Sequence, residues 1–192
     1  MSNIGNYEER YKNFTWELAK EELDYKDGDP INIAEYCSDR ICNMGKSDKK
    51  ALIWQGNAGE IKTYTFNDLR LLTNTIASFL EGLGIKPEQR VSLFLDKVPE
   101  LYIGFLGVLK MGGIAQPLFS AFGGESLHTR LEDGGTTAII TQKKHIGKVR
   151  KIINDLPELK HIILIDDDGK KPLREHEVAF HMDEAERIED YQ

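Results

Sequence analysis

The sequence predicts an α/β fold built on a parallel, doubly wound sheet with crossover helices, and three observations carry that reading. Val91 to Leu95 is a continuous apolar run, as expected of a strand covered on both faces. The stretch that follows, PELYIGFLGVLKMG from Pro99, is apolar almost all round, which suits a crossover helix buried against that strand. Further strands are expected at Ile114 to Leu118, Ala138 to Thr141 and Ile162 to Ile165, with helices near Glu125 to Glu132 and Lys143 to Leu156 between them. Four strands alternating with three helices imply parallel pairing through right-handed crossovers.

The elements before this alternation have their own signals. From Asn6 to Leu23, Tyr7, Tyr11, Phe14, Trp16 and Leu18 fall near helical spacing among Glu and Lys, so residues 1–30 read as an amphipathic helical arm. A helix from about Ile33 to Met44 should end at Gly45 and Ser47. Ala51 to Gln55 and Ile61 to Tyr64 read as a small hairpin around Gly56-Asn57-Ala58-Gly59. Thr65-Phe66-Asn67-Asp68 has the form of a capping box, in which the Thr hydroxyl accepts from an early helix amide while the Asp carboxylate reaches back. The helix it opens carries Leu69, Leu72, Ile76, Phe79, Leu80 and Leu83 on one face and stops at Gly82 and Gly84. Pro99 suits the first turn of the crossover helix, and Gly104 and Gly107 let another backbone come close. Residues 31–166 therefore form the α/β body. From Asp166 to Gln192 ten acids stand against four Lys and Arg, and residues 167–192 read as a short, weakly held acidic segment.

Composition excludes several classes of function. A net charge of −7 argues against a nucleic-acid binder, whose footprint is basic. No run approaches the roughly 20 apolar residues of a membrane span, and the polar N-terminus lacks the apolar core of a signal peptide, so the expected compartment is cytoplasmic. Cys37 and Cys42 form neither a CxxC pair nor a disulfide framework and read as reduced thiols packed on one helix.

Most motif-like stretches fail on inspection. Gly56 to Thr63 contains a Lys-Thr pair but no glycine before the lysine, so it is a hairpin turn and not a phosphate loop. The paired glycines at 112, 123 and 134 are not arranged as GxGxxG. Asp166-Asp167-Asp168-Gly169 is out of register with a calcium loop, and His176 and His181 do not stack on a helix face, so no metal and no catalytic residue is assigned. Two segments remain. Lys143, Lys144, Lys148, Arg150 and Lys151 lie within nine residues without an acid, either as a phosphate-attracting field or as a solvated helix face. PLFSAFGG, from Pro117, follows a parallel strand at its C-terminal end, where open α/β sheets bind ligands. Its small residues admit a flat group and Phe119 or Phe122 can stack on it; the other reading is a loop closing the core with two buried Phe.

These residues resemble the AMP-forming acyl-CoA synthetases of the adenylate-forming superfamily, and acetyl-CoA synthetases most of all. The likeness lies in NYEERYKNFTW from Asn6, NIAEYCSDR from Asn32, YTFNDLRLLTN from Tyr64, the run from Arg90 to Gly123 with its PELY, LGVLKMGGI and PLFSAFG, and RLEDGGTTAIIT from Arg130. The resemblance implies a ligase in which a carboxylate such as acetate attacks Mg-ATP to give an acyl-adenylate that the thiol of coenzyme A then captures. The Gly/Ser/Thr/Lys loop for the phosphates is not among these residues; Gly134-Gly135-Thr136-Thr137 lacks the glycine, proline and lysine that should follow. The expectation is an N-terminal portion of such an enzyme, inactive alone, binding no cofactor tightly, and prone to self-association or to docking with the remainder. A non-catalytic binding module or a split-enzyme subunit is the alternative. The resemblance places Phe119, Ser120 and Ala121 beside the adenine of coenzyme A. It brings Arg150, helped by Lys148, to the 3′-phosphate, with Gly147 where another arginine can stand.

Overall fold

The structure, a computed structural model, describes residues 5–191. The first four residues of the expected arm and Gln192 lie outside them. The described residues form two units, one ending at Ile31 and the other beginning at Asn32.

In the first unit the expected continuous arm is two helices, α1 (Tyr7–Asn13) and α2 (Trp16–Leu23). The break has a local cause. Phe14 is extended, and Thr15 opens a new helix by accepting from the Leu18 amide at 3.1 Å, much as Asn6 caps α1 by accepting from Glu8 and Glu9. Arg10 and Glu22 pair across the two helices.

The second unit starts with α3 (Ile33–Cys37), a short α4 (Asp39–Ile41) and one π turn over Cys42–Lys46. The single helix expected here is interrupted at Ser38, whose backbone is non-helical and whose hydroxyl donates to the Ala34 carbonyl at 2.7 Å. The two cysteines are free thiols on different segments, Cys37 exposed and Cys42 buried. The hairpin follows as β1 (Lys50–Gln55) antiparallel to β2 (Ile61–Thr65). The capping box then opens α5 (Phe66–Gly82), with Thr65 Oγ1 accepting from the Asp68 amide and the Asp68 carboxylate accepting from the Thr65 amide.

The main sheet comprises β3 (Arg90–Phe94), β4 (Ile114–Pro117), β5 (Thr136–Thr141), β6 (His161–Leu164) and β7 (Glu177–Ala179), all parallel in the order β4-β3-β5-β6-β7. The crossovers carry α6 (Pro99–Lys110), α7 (Gly124–Asp133) and α8 (Ile146–Val149). Alternate strand residues feed two cores. Val91, Leu93, Ile140 and Ile163 meet Leu72, Ile76 and Leu80 of α5 and Ile103 and Val108 of α6. Phe94, Ile139, Ile162 and Leu164 meet Leu127 and Leu131 of α7 and Ile146 and Val149 of α8. Both faces are covered, as a doubly wound sheet requires. Among the described residues no helix is long and apolar enough to cross a membrane.

Two expectations are corrected. The helix expected from Lys143 to Leu156 is reduced to α8 and a 3₁₀ turn over Ile153–Asp155. Its buried residues, Ile146, Val149, Ile152 and Leu156, recur mainly every three positions, which a chain of tight turns lays on a sheet better than an α-helix does. The acidic segment is not weakly held, because it contributes the fifth strand, β7, and buries Met182 against the α5 side of the sheet.

Candidate ligand site

Following the chain, β4 lies on one side of β3 and the next strand, β5, on the other, so the order reverses between the carboxyl ends of β3 and β5. A crevice at such a reversal is where open α/β sheets bind ligands. The loops that meet at this reversal, and would wall such a crevice, are Leu95 and Asp96 after β3, Leu118 to Gly123 after β4, and Gln142 to Lys148 after β5.

Its floor is Phe94, fully buried, whose carbonyl accepts from the Thr141 hydroxyl at 2.9 Å. The His145 ring packs on Phe94 at 5.1 Å between centroids, and the Lys148 ammonium stands 5.3 Å from the same ring. The Asp96 amide donates to the buried Gln142 side chain at 2.9 Å, fixing the direction of its carboxylate. That carboxylate accepts from Lys144 and from His145 Nε2, the latter at 2.8 Å. The Lys144 ammonium, seconded by His145 and the Ser120 hydroxyl, draws the Asp96 pKa down to about 2 against the opposing effect of burial.

Of the residues expected at a ligand, the structure brings four together. Phe119 is 67% exposed and meets Phe122 edge to face at 5.8 Å, while Phe122 in turn carries the Arg130 guanidinium 4.1 Å from its ring centre. Ser120 and Ala121 follow Phe119, and Lys148 donates to the Ser120 carbonyl at 3.1 Å. The loop is thus not the closure of the core by two buried Phe, since Phe119 stands in solvent. Arg150 does not join them. Two positions along a helix turn a side chain by roughly 200°, and Arg150 reaches the opposite edge of the sheet, where it grips Glu177 with two bonds of 2.7 and 2.8 Å. Lys143 is likewise taken up by Asp166 and Asp168. The basic cluster is therefore dispersed, and Lys148 alone of its paired or stacked members points to the loop after β4 without an acidic partner among the described residues.

The sequence reading missed Asp96, Gln142 and His145 as crevice residues. The available signal was an aspartate directly after a fully apolar strand, at the position where strand order reverses. Among the described residues no group of His, Cys, Asp or Glu is placed to hold a metal ion.

Residues 40–190 match the AMP-binding enzyme family. The chain belongs to that family. Its relatives include an acetyl-coenzyme A synthetase of Bacillus subtilis, 30% identical over 164 residues, a match covering 85% of this chain and 28% of the relative. A 3-hydroxypropionyl-coenzyme A synthetase of Sulfurisphaera tokodaii is 30% identical over 138 residues, covering 71% of this chain and 21% of that one. A crystal structure of a Brucella canis acyl-CoA synthetase superposes with a TM-score of 0.79 at 24% identity, over 94% of this chain and 32% of that one, and shares its fold. The chain thus spans less than a third of the length of each of these relatives.

Proposed function

We propose that the chain supplies the N-terminal part of an acid-thiol ligase that converts acetate or a short related acid, ATP and coenzyme A to the acyl-CoA, AMP and pyrophosphate. Its own contribution is contact with coenzyme A. The observation that carries this reading is the meeting of loops at the strand-order reversal, with Phe119 exposed there and Lys148 held to the Ser120 carbonyl. Phe119 offers a face to the adenine, Ser120 and Ala121 leave room for it, and Lys148 offers a positive charge to a phosphate. Arg150 belongs to the same ligand only if it leaves Glu177, so Lys148 carries more of the phosphate contact than Arg150 does. The names of the relatives support coenzyme A as the partner, and a cytoplasmic setting belongs to the same proposal. Mg-ATP is a substrate of that whole enzyme; no phosphate loop for it stands in this sequence, so the chain alone is expected to release no pyrophosphate from ATP and acetate.

A second reading, a non-catalytic module that docks with another chain, is favoured by one observation. Leu101, Tyr102, Phe105 and Leu106 of α6 form, with Pro117, an open apolar groove on the outer side of the sheet edge.

The test is calorimetric titration with coenzyme A and with dephospho-coenzyme A. The chain is expected to prefer coenzyme A, and Lys148→Ala to remove most of that preference, about tenfold for one charge-assisted contact. Equal affinity for the two ligands in the parent chain would overturn the assignment of Lys148 to the phosphate.

A further inference from the structure

Asp96 occupies the middle of the crevice mouth, where three loops meet. It follows β3, accepts from Lys144 and His145 after β5, and stands beside the loop after β4 whose Ser120 carbonyl accepts from Lys148. The tie is wet: the side chains of Lys144 and Asp96 are 52% and 36% exposed, so water and ions can compete for it. His145 is held from behind by the Phe94 ring and keeps its Nε2 directed at the same point. Lys148 is close by through the Ser120 carbonyl and has no acidic partner among the described residues. Three basic side chains therefore stand at one rim, His145 and Lys148 both against the Phe94 ring, and the Asp96 carboxylate of the chain itself takes up Lys144 and His145.

We propose that Asp96 is a built-in competitor, whose carboxylate fills an anion subsite formed by Lys144, His145 and Lys148, so that a phosphate group of a ligand binds there by displacing it. The inference rests on the proposed function only in taking this crevice as a ligand site. A phosphate monoester suits the place better than the carboxylate does, because it brings up to two charges and three acceptor oxygens. It can engage Lys148 together with Lys144 and His145, whereas Asp96 reaches only the latter pair. Asp96 would then set how strongly the crevice selects phosphorylated over unphosphorylated ligands, and would keep the rim ordered while no ligand is bound.

The experiment is titration of inorganic phosphate, coenzyme A and dephospho-coenzyme A, at low ionic strength, into the parent chain and Asp96→Asn, with the His145 imidazole followed by ¹⁵N resonance. Asp96→Asn is expected to bind inorganic phosphate about tenfold more tightly than the parent, as expected when one charged competitor is removed. In the parent the His145 Nε2 resonance is expected to move as phosphate replaces the carboxylate. Equal phosphate affinity in the two proteins, or no binding by an Asp96→Asn variant that keeps the parental circular dichroism, overturns the proposal. Should that variant not fold, a His145 resonance that stays still in the parent up to the highest phosphate concentration overturns it equally. Tighter phosphate binding by Asp96→Asn with no coenzyme A binding by either protein would sustain this inference while removing the proposed function.

Discussion

Glu177 has only 1% of its side chain exposed, and it stays ionised because Arg150 covers both of its oxygens. The guanidinium, with the Arg174 amide behind it, holds the Glu177 pKa below the ordinary range although burial pushes the other way. A carboxyl whose folded pKa is lowered stabilises the fold above its unfolded value of about 4.3, and that contribution fades as pH falls through the folded value. Arg150→Ala leaves the carboxylate buried and unpaired, and is expected to cost about 2 kcal/mol at pH 7, less than a fully buried pair because Arg150 itself is partly exposed. The cost should shrink as pH falls, first as the unpaired Glu177 of the variant takes up a proton and then as the parent passes through its own lowered folded pKa. Urea unfolding at pH 7 and pH 3 checks this, and a cost unchanged at pH 3 would assign it to lost packing of the arginine stem. The partnership was illegible in the sequence because Glu177 lies 27 residues beyond Arg150, on a three-residue strand with no apolar run to announce it. Asp96 and His145 were hidden for the same reason, being 49 positions apart and joined only by the strand order.

Among the elements, the packing of α6 on α5 and on the sheet depends on two glycines that the sequence did mark. A Cβ built on Gly107 would stand 2.6 and 2.8 Å from Ile76 of α5, well inside contact, while one on Gly104 would meet Leu93 at 3.1 Å. Alanine gains about 1 kcal/mol over glycine in a helix interior, and overpacking costs roughly 1–3 kcal/mol. Gly107→Ala is therefore expected to destabilise by about 1–2 kcal/mol and Gly104→Ala to be near neutral, as read from urea midpoints. If the two variants behave alike, close approach at Gly107 is not what sets the spacing of these helices. Signals of this kind survive in a sequence because they are local: the capping box at Thr65, the turn at Gly56, the proline opening α6 and the apolar run of β3 each need only neighbours. What failed was periodicity read without its context. The stretch after β5 has apolar residues at near-helical spacing, but its lysines are drawn off to Asp96 and Asp168 and its apolar residues suit tighter turns.

For the unit from Asn32 onward, the acidic segment shows why composition misjudged what is held and what is loose. Apart from Glu177 its charges mostly face water, and its backbone is what the body grips. Asn74 and Thr75 of α5, both buried, engage the carbonyls of Glu186, Ile188 and Glu189 and the Ile188 amide at 3.0 to 3.2 Å. Phe180 packs on Phe79 with ring centres 4.5 Å apart, Met182 enters the core, and Tyr191 donates to Glu81 at 2.6 Å. Burying side chains of the Met182 and Phe180 kind is worth about 2 kcal/mol each. Removal of residues 167–192 is thus expected to destabilise this unit by about 4 kcal/mol or more, since it also uncovers β6 and removes the hydrogen-bond partners of Asn74 and Thr75. A loosely attached acidic tail predicts the reverse: removing negative charge from a chain of net charge −7 would relieve repulsion and leave the midpoint unchanged or raised. Thermal unfolding of the shortened chain, with a hydrophobic dye reporting the uncovered β6 face, separates the two. A midpoint at or above that of the full chain, with no added dye binding, would mean that β7 and the strap beyond it cover the sheet without holding it.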